Sequence, residues 1–210
     1  MPMYELIFLG YEFLTGFIPF LIVMLLLRRQ RSHHAPRRPR GFTLLSLLFA
    51  LYLFGVFYVT GVGTLYDALR TPFTNLAQRV NFIPFSREIN RVGYILNVIM
   101  LVPFGFLLPM MAPKPRKFLQ VLAAGLGLSL LIELSQLLCS RGTDVDDLIM
   151  NTLGAGCGYV LFWLWDKITR GKIRVSGFTG GEPLLYLAAI FLGRFFLFHI
   201  SGLIRLLYGL

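Results

Sequence analysis

Eight polar side chains in an otherwise apolar chain are spaced so that they can converge: Asn97, Glu133, Gln136, Arg141, Asp144, Asp146, Asp147 and Asn151. Ser129, Glu133 and Gln136 follow at i, i+4 and i+7, which aligns them on one stripe of a helix. Asp144, Asp147, Asn151 and Gly154 follow at i, i+3, i+7 and i+10 and share one face of the next helix. Such groups are costly inside a bilayer, so they are normally paired or turned toward an aqueous cavity. Two chemistries are open to them. Carboxylates and amides can hydrogen-bond the hydroxyls or amides of a bound amphiphile, or Glu133 and Asp147 can act as general acid or base. The oxygens of Asp144, Asp146 and Asp147 would suit a hard divalent cation, Mg²⁺ or Ca²⁺, although their spacing is not that of an EF-hand loop. No other cofactor is expected. No Ser/His or Cys/His nucleophile is evident in the sequence, so no residue is assigned a catalytic role. A structural account competes for part of the set. Thr143, Asp144 or Asp146 can cap the helix that follows, and Glu133 can pair with Arg141 to fix packing.

The elements that must position these groups are membrane spans. The 210 residues are 56% hydrophobic and 14% charged, with a mean hydropathy of +0.71, whereas soluble domains carry about a quarter of their residues as charges. Six apolar blocks can be marked, at 4–27, 42–66, 92–110, 118–138, 148–165 and 183–208. Each is near the roughly 20 residues that one crossing needs. The expected fold is therefore an all-α polytopic transmembrane bundle of about six spans. Because the last block holds Arg194, His199 and Arg205, five spans with a re-entrant final segment is the alternative. The first block lacks a basic leader and is read as a retained span. Pro103 is expected to kink the third span. Gly125, Gly127, Gly154, Gly156 and Gly158 are expected to bring spans four and five close together. Glu5 and Glu12 share a face of the first span, Arg194 and Arg205 share one of the last, and pairing between these helices is expected.

Charge sets the orientation. The chain has 20 Lys and Arg against 10 Asp and Glu, and thirteen of the cations lie in three short connectors: six in 28–40, three in 114–117 and four in 167–174. The positive-inside rule places those connectors in the cytoplasm. Both termini and the segments 67–91 and 139–147 then face outward. Cations interrupted by apolar blocks do not make a nucleic-acid surface, so no nucleic-acid partner is expected. Phe73, Phe82, Ile83, Pro84 and Phe85 suit a segment lying in the membrane interface. At about 1.5 Å per residue, Asn97, Glu133 and Asn151 all fall roughly 5–10 Å below the outer boundary.

Four ordered motifs then carry a family resemblance. They are Asn81-Phe-Ile-Pro84-Phe85; Asn97 followed by Pro103-Phe-Gly105-Phe-Leu-Leu-Pro109; Ser129-Leu-Leu-Ile-Glu133-Leu-Ser-Gln136; and Arg141-Gly-Thr-Asp144-Val-Asp146-Asp147-Leu-Ile-Met-Asn151-Thr-Leu-Gly154. Together they resemble the VanZ-like family, named for a teicoplanin-resistance protein of Gram-positive bacteria. The resemblance covers residues 81–159, and the first, second and sixth spans show no family motif. It divides the chain into an N-terminal pair of helices (1–80), a VanZ-like core of three helices (81–166) and a C-terminal loop and helix (167–210). It implies a multi-pass protein of the bacterial plasma membrane that lowers glycopeptide susceptibility. The expected partners are membrane lipids, with a lipid-linked cell-wall precursor or a lipoglycopeptide as the ligand. The alternative is an intramembrane enzyme that modifies lipid-linked envelope precursors through Glu133 and the aspartates at 144–147.

Overall fold

The computed structural model describes residues 3–30, 38, 40–70, 79–86, 90–112, 116–139, 141–172, 174–175 and 177–199. In chain order the helices are α1 (Met3–Arg29), α2 (Arg40–Thr60), α3 (Leu65–Arg70), α4 (Arg91–Met110), α5 (Phe118–Leu137), α6 (Val145–Ile168) and α7 (Glu182–Leu197). Five stretches are long and apolar enough to cross a membrane: Glu5–Arg29, Gly41–Arg70, Arg91–Met110, Phe118–Leu137 and Val145–Ile168. The all-α membrane bundle expected from composition is what forms. Large apolar side chains cover its flanks, among them Leu6, Ile22, Leu48, Leu96, Leu153 and Leu161, all exposed. In water this surface would drive aggregation; in a bilayer it is the lipid contact.

The last helix is shorter than the apolar block that encodes it. α7 has 16 residues and ends at Leu197, about 24 Å of helix at 1.5 Å per residue, against a hydrocarbon core of roughly 30 Å. Arg205 and the rest of 200–210 lie outside the described residues, as does Phe73. α7 packs along α1, and there the expected pairing occurs between Glu12 and Arg194, at 2.7 Å. Glu5 is exposed. His199 sits edge-on to Tyr66, with ring centroids 3.9 Å apart.

The connectors sort to opposite ends of the bundle. At one end lie the basic connectors. Arg38 pairs with the buried Glu182 at 2.9 Å, Val175 N donates to the Met110 carbonyl at 3.2 Å, and Arg116 donates to the Gly180 carbonyl. At the other end a two-residue parallel bridge joins β1 (Val80–Asn81) to β2 (Thr143–Asp144). Beside it, Phe82, Ile83 and Phe85 are exposed, as a segment in the membrane interface would be.

Two boundaries and one packing expectation are corrected. The second apolar block is not one unbroken helix: α2 stops at Thr60, where Gly61 adopts φ 60°, and α3 follows from Leu65. Val62 N donates to the Phe57 carbonyl and Gly61 N to the Tyr58 carbonyl, both at 3.2 Å. That pair of bonds is the Schellman helix end, which needs a left-handed residue that glycine supplies without strain. α6 starts three residues before the apolar block, capped by Asp144, whose carboxylate accepts from Asp146 N. α4 runs as one helix with Pro103 inside it. α4 and α6 are the most closely packed helices, and their backbones meet at glycines. A Cβ on Gly154 would overlap the Val98 carbonyl, one on Gly158 the Val102 carbonyl, and one on Gly105 the Ala155 carbonyl. The close seam therefore joins spans three and five. Only Gly125 and Gly156 face across the fourth–fifth interface, and Gly127 faces open space.

Candidate functional site

At the end opposite the basic connectors, α2, α4, α5 and α6 line an open cavity of about 710 Å³. Six of the eight polar residues singled out by spacing line it: Asn97, Glu133, Gln136, Arg141, Asp147 and Asn151. The remaining wall is mostly apolar, from Tyr52, Gly55, Val56 and Val59 of α2, Leu96, Ile99, Met100 and Pro103 of α4, and Ile132 of α5. The Thr60 and Tyr52 hydroxyls in it donate to backbone carbonyls. Asp144 and Asp146 lie apart from these six. They line a smaller recess of about 250 Å³ with Asn90, Tyr94 and Gly142. Gly93 and Asp147 belong to both walls.

Local structure explains how each group is held. The Schellman end leaves the Thr60 carbonyl without a helical partner. It accepts instead from Gln136 Nε2 and Arg141 Nη1, each at 2.7 Å. A cation at a helix C-terminus also meets the negative end of its dipole. Arg141 is thus committed to α2, and the pairing with Glu133 considered from sequence does not form. The α2–α3 turn is fixed on α5 by Gly63 N donating to Ser135 Oγ at 3.3 Å.

The aspartates divide the remaining work. Asp144 caps α6 and accepts from Asn81 Nδ2 at 3.2 Å on both oxygens. Asp146 accepts from Phe85 N at 2.9 Å and from the Tyr94 hydroxyl. Asp147 accepts from Asn97 Nδ2. Their oxygens therefore point at different protein donors, and among the described residues no three His, Cys, Asp or Glu are placed to hold a metal ion. Asn151 Nδ2 donates to Ser129 Oγ at 2.9 Å. Two atoms stand out after this accounting. Glu133 Oε2 and Asn151 Oδ1 are buried with no hydrogen-bond partner, on residues only 3% and 2% exposed. A buried polar atom without a partner costs about 1–3 kcal/mol, so both are suited to a ligand that would satisfy them.

Neither cysteine offers a competing chemistry. Cys139 and Cys157 are free thiols. Burial and the neighbouring Asp67 carboxylate push the Cys139 thiol up, away from the thiolate that nucleophilic attack requires.

Sequence reasoning missed several participants. Tyr94 lies with Asn90 and Asn97 at i, i+4 and i+7, the same spacing that revealed the α5 stripe, so a signal was there. For the α2 wall there was none. Its contributions are mostly apolar side chains and one backbone carbonyl.

The comparisons bear on that wall. A family model described as VanZ/LLP1 matches residues 49–166, more than half of the chain. The chain belongs to the VanZ/LLP1 family. Protein VanZ of Enterococcus faecium is 36% identical over 126 residues, 60% of this chain and 77% of that protein. No solved structure matches. The VanZ/LLP1 match begins 32 residues before the motif resemblance at 81, and so takes in most of α2. Every residue lining the cavity, from Tyr52 to Asn151, falls within it. By contrast α1 and α7 lie beyond its limits.

Proposed function

We propose that this VanZ/LLP1-family membrane protein binds a single-tailed or lipid-tailed amphiphile in the cavity among α2, α4, α5 and α6. One observation supports the reading above the others: the cavity joins an apolar wall to a polar end in which two buried acceptors lack partners. A tail fits the first and a head group the second. In the bacterial plasma membrane such a protein would hold a cell-envelope lipid or a lipoglycopeptide and lower susceptibility to teicoplanin. The relatedness to Protein VanZ supports that phenotype.

Two variants test the site while sparing the fold. Gly55 lines the cavity and a Cβ there meets nothing within 4 Å, so Gly55→Phe has room to enter the cavity and occupy it. Glu133→Gln keeps the shape and removes the carboxylate. Gly55→Phe is expected to lower binding of a fluorescent C12 amphiphile of any head group to purified protein in nanodiscs by at least about tenfold, and Glu133→Gln to do so for one whose head donates N–H to the carboxylate. Each should also erase any increase in teicoplanin tolerance that the wild-type chain confers on a susceptible host. Wild-type binding and tolerance in both variants would sink the proposal. A mass change in a lipid-linked wall precursor incubated with the protein would establish the enzymatic alternative.

The cavity end is proposed to face outward, on the strength of the basic connectors gathered at the other end. With both native cysteines replaced by serine, an impermeant maleimide added to intact cells should label Ser86→Cys and leave Gly180→Cys untouched. Labelling of Gly180→Cys alone would invert the topology.

A further inference from the structure

The head group that the cavity can accept follows from its unused hydrogen-bonding capacity. Each amide and guanidinium of the wall already gives one N–H to the protein. Asn97 donates to Asp147, Gln136 and Arg141 to the Thr60 carbonyl, and Asn151 to Ser129. The buried atoms of the wall that have no partner are both acceptors, Glu133 Oε2 and Asn151 Oδ1. The charges lean the same way. Among the described residues Arg141 is the one cation lining the cavity, against Glu133 and Asp147 in its wall and Asp144 and Asp146 in the adjoining recess. A phosphate or carboxylate head would meet two buried acceptors and an acidic surround, so its lost hydration would be poorly compensated. A head that brings N–H donors and positive charge would satisfy both orphan acceptors at once.

The tail has a way out. α2 and α4 touch only sparsely, joined by Tyr52 Oη donating to the Met100 carbonyl at 2.8 Å. Around the opening Val59, Leu96 and Ile99 are 76%, 59% and 58% exposed, on flanks that face lipid. An alkyl chain can therefore lie between the two helices with its end in the bilayer.

Building on the amphiphile reading above, we infer that the occupant is an amphiphile with a primary ammonium head, seated at Glu133 and Asn151 with its tail leaving sideways between α2 and α4. An amine-bearing membrane lipid and an amine-bearing amphiphile from outside the cell share this chemistry.

Native mass spectrometry of the full chain with three C12 probes tests the assignment. Dodecylammonium is expected to bind at least about tenfold more tightly than dodecanoate, and also more tightly than dodecyltrimethylammonium, which carries the charge without an N–H. Glu133→Gln should erase most of that preference while leaving the weak dodecanoate binding as it was. If dodecanoate or the quaternary probe binds as well as dodecylammonium, and Gly55→Phe still blocks them, the cavity stands and the ammonium assignment falls. If Gly55→Phe changes the binding of none of the probes, the amphiphile reading itself fails and the assignment with it. Repeating the measurement in nanodiscs of phosphatidylethanolamine and of phosphatidylcholine separates the two sources. Weaker dodecylammonium binding in the ethanolamine lipid identifies a membrane lipid as occupant. Equal binding in both, together with the N–H preference, assigns the site to an amphiphile from outside.

Discussion

Replacing Gly154 and Gly158 together by alanine is expected to leave little correctly assembled protein. The two positions lie one turn apart on α6, as a Gly-xxx-Gly pair, and each carries α4 backbone directly against it. Small residues of this kind let transmembrane helices approach until their backbones touch, which supplies much of the packing that water cannot drive within a bilayer. A Cβ on Gly158 would meet the Val102 carbonyl, the Gly105 Cα and the Phe106 nitrogen. None of these atoms can rotate away, unlike the tip of a side chain, so the helices must separate. Overpacking costs about 1–3 kcal/mol per site, and two sites on one seam compound. The same separation would pull Asn97 on α4 away from Asp147 on α6 and open the cavity. Gly127→Ala is the matched control. Nothing lies within 4 Å of a Cβ there, and alanine is the better helix former by about 1 kcal/mol. In detergent, the double variant should elute as aggregate or melt far below wild type, while Gly127→Ala melts at or slightly above it. Equal melting of all three proteins would refute the backbone seam.

The second large effect is expected at Arg194. Arg194 is 5% exposed, and its Nε and Nη2 donate to Glu12 Oε1 at 2.9 and 2.7 Å. It also donates to the Val62 carbonyl, just beyond the α2 helix end. One side chain thus ties α7 to α1 and to the turn that closes α2. Arg194→Met leaves Glu12 buried and uncompensated, and breaking such a pair costs about 3–5 kcal/mol. For a chain of this size, where about 1 kcal/mol shifts the melting temperature by roughly 2–4 °C, that is a fall of about 6–20 °C. Removing the orphaned charge as well should reverse most of the loss. Glu12→Leu combined with Arg194→Met is therefore expected to melt well above Arg194→Met alone, because two apolar side chains can replace a buried ion pair with little net change. A double variant as unstable as the single one would show that the Val62 contact, and not the ion pair, holds the three helices together.

Both predictions concern features that the sequence indicated only by type. Glu12 and Arg194 were marked as intramembrane charges in want of partners, and the glycines as close-packing positions. Which residue met which was open, since helical periodicity gives the face of a helix without saying what lies opposite. Gly127 shares its residue type and helix with Gly125 yet faces open space. The glycine seam accordingly joined the third span to the fifth, where the fourth had been expected.

The polar stripes fared differently. Seven-residue and four-residue spacings put side chains on one face of any α-helix, and three such faces rich in amides and carboxylates have few places to go in a bilayer other than toward one another. Their grouping at one end of the bundle was therefore legible in the chain itself. So were the membrane-spanning class and the gathering of basic connectors at the opposite end, because each depends on composition along the sequence. What only the tertiary structure decided was the division of labour within the cluster. Asp144 and Asp146 turned to protein donors at a separate recess, Arg141 went to the Thr60 carbonyl, and Glu133 and Asn151 kept an unpartnered atom each. That carbonyl becomes available because Gly61 ends α2 in a left-handed turn, and the apolar wall beside it has no periodic polar signature to announce it. Periodicity could select the residues that converge; which of them remain free for a ligand depended on distances between helices that no linear spacing contains.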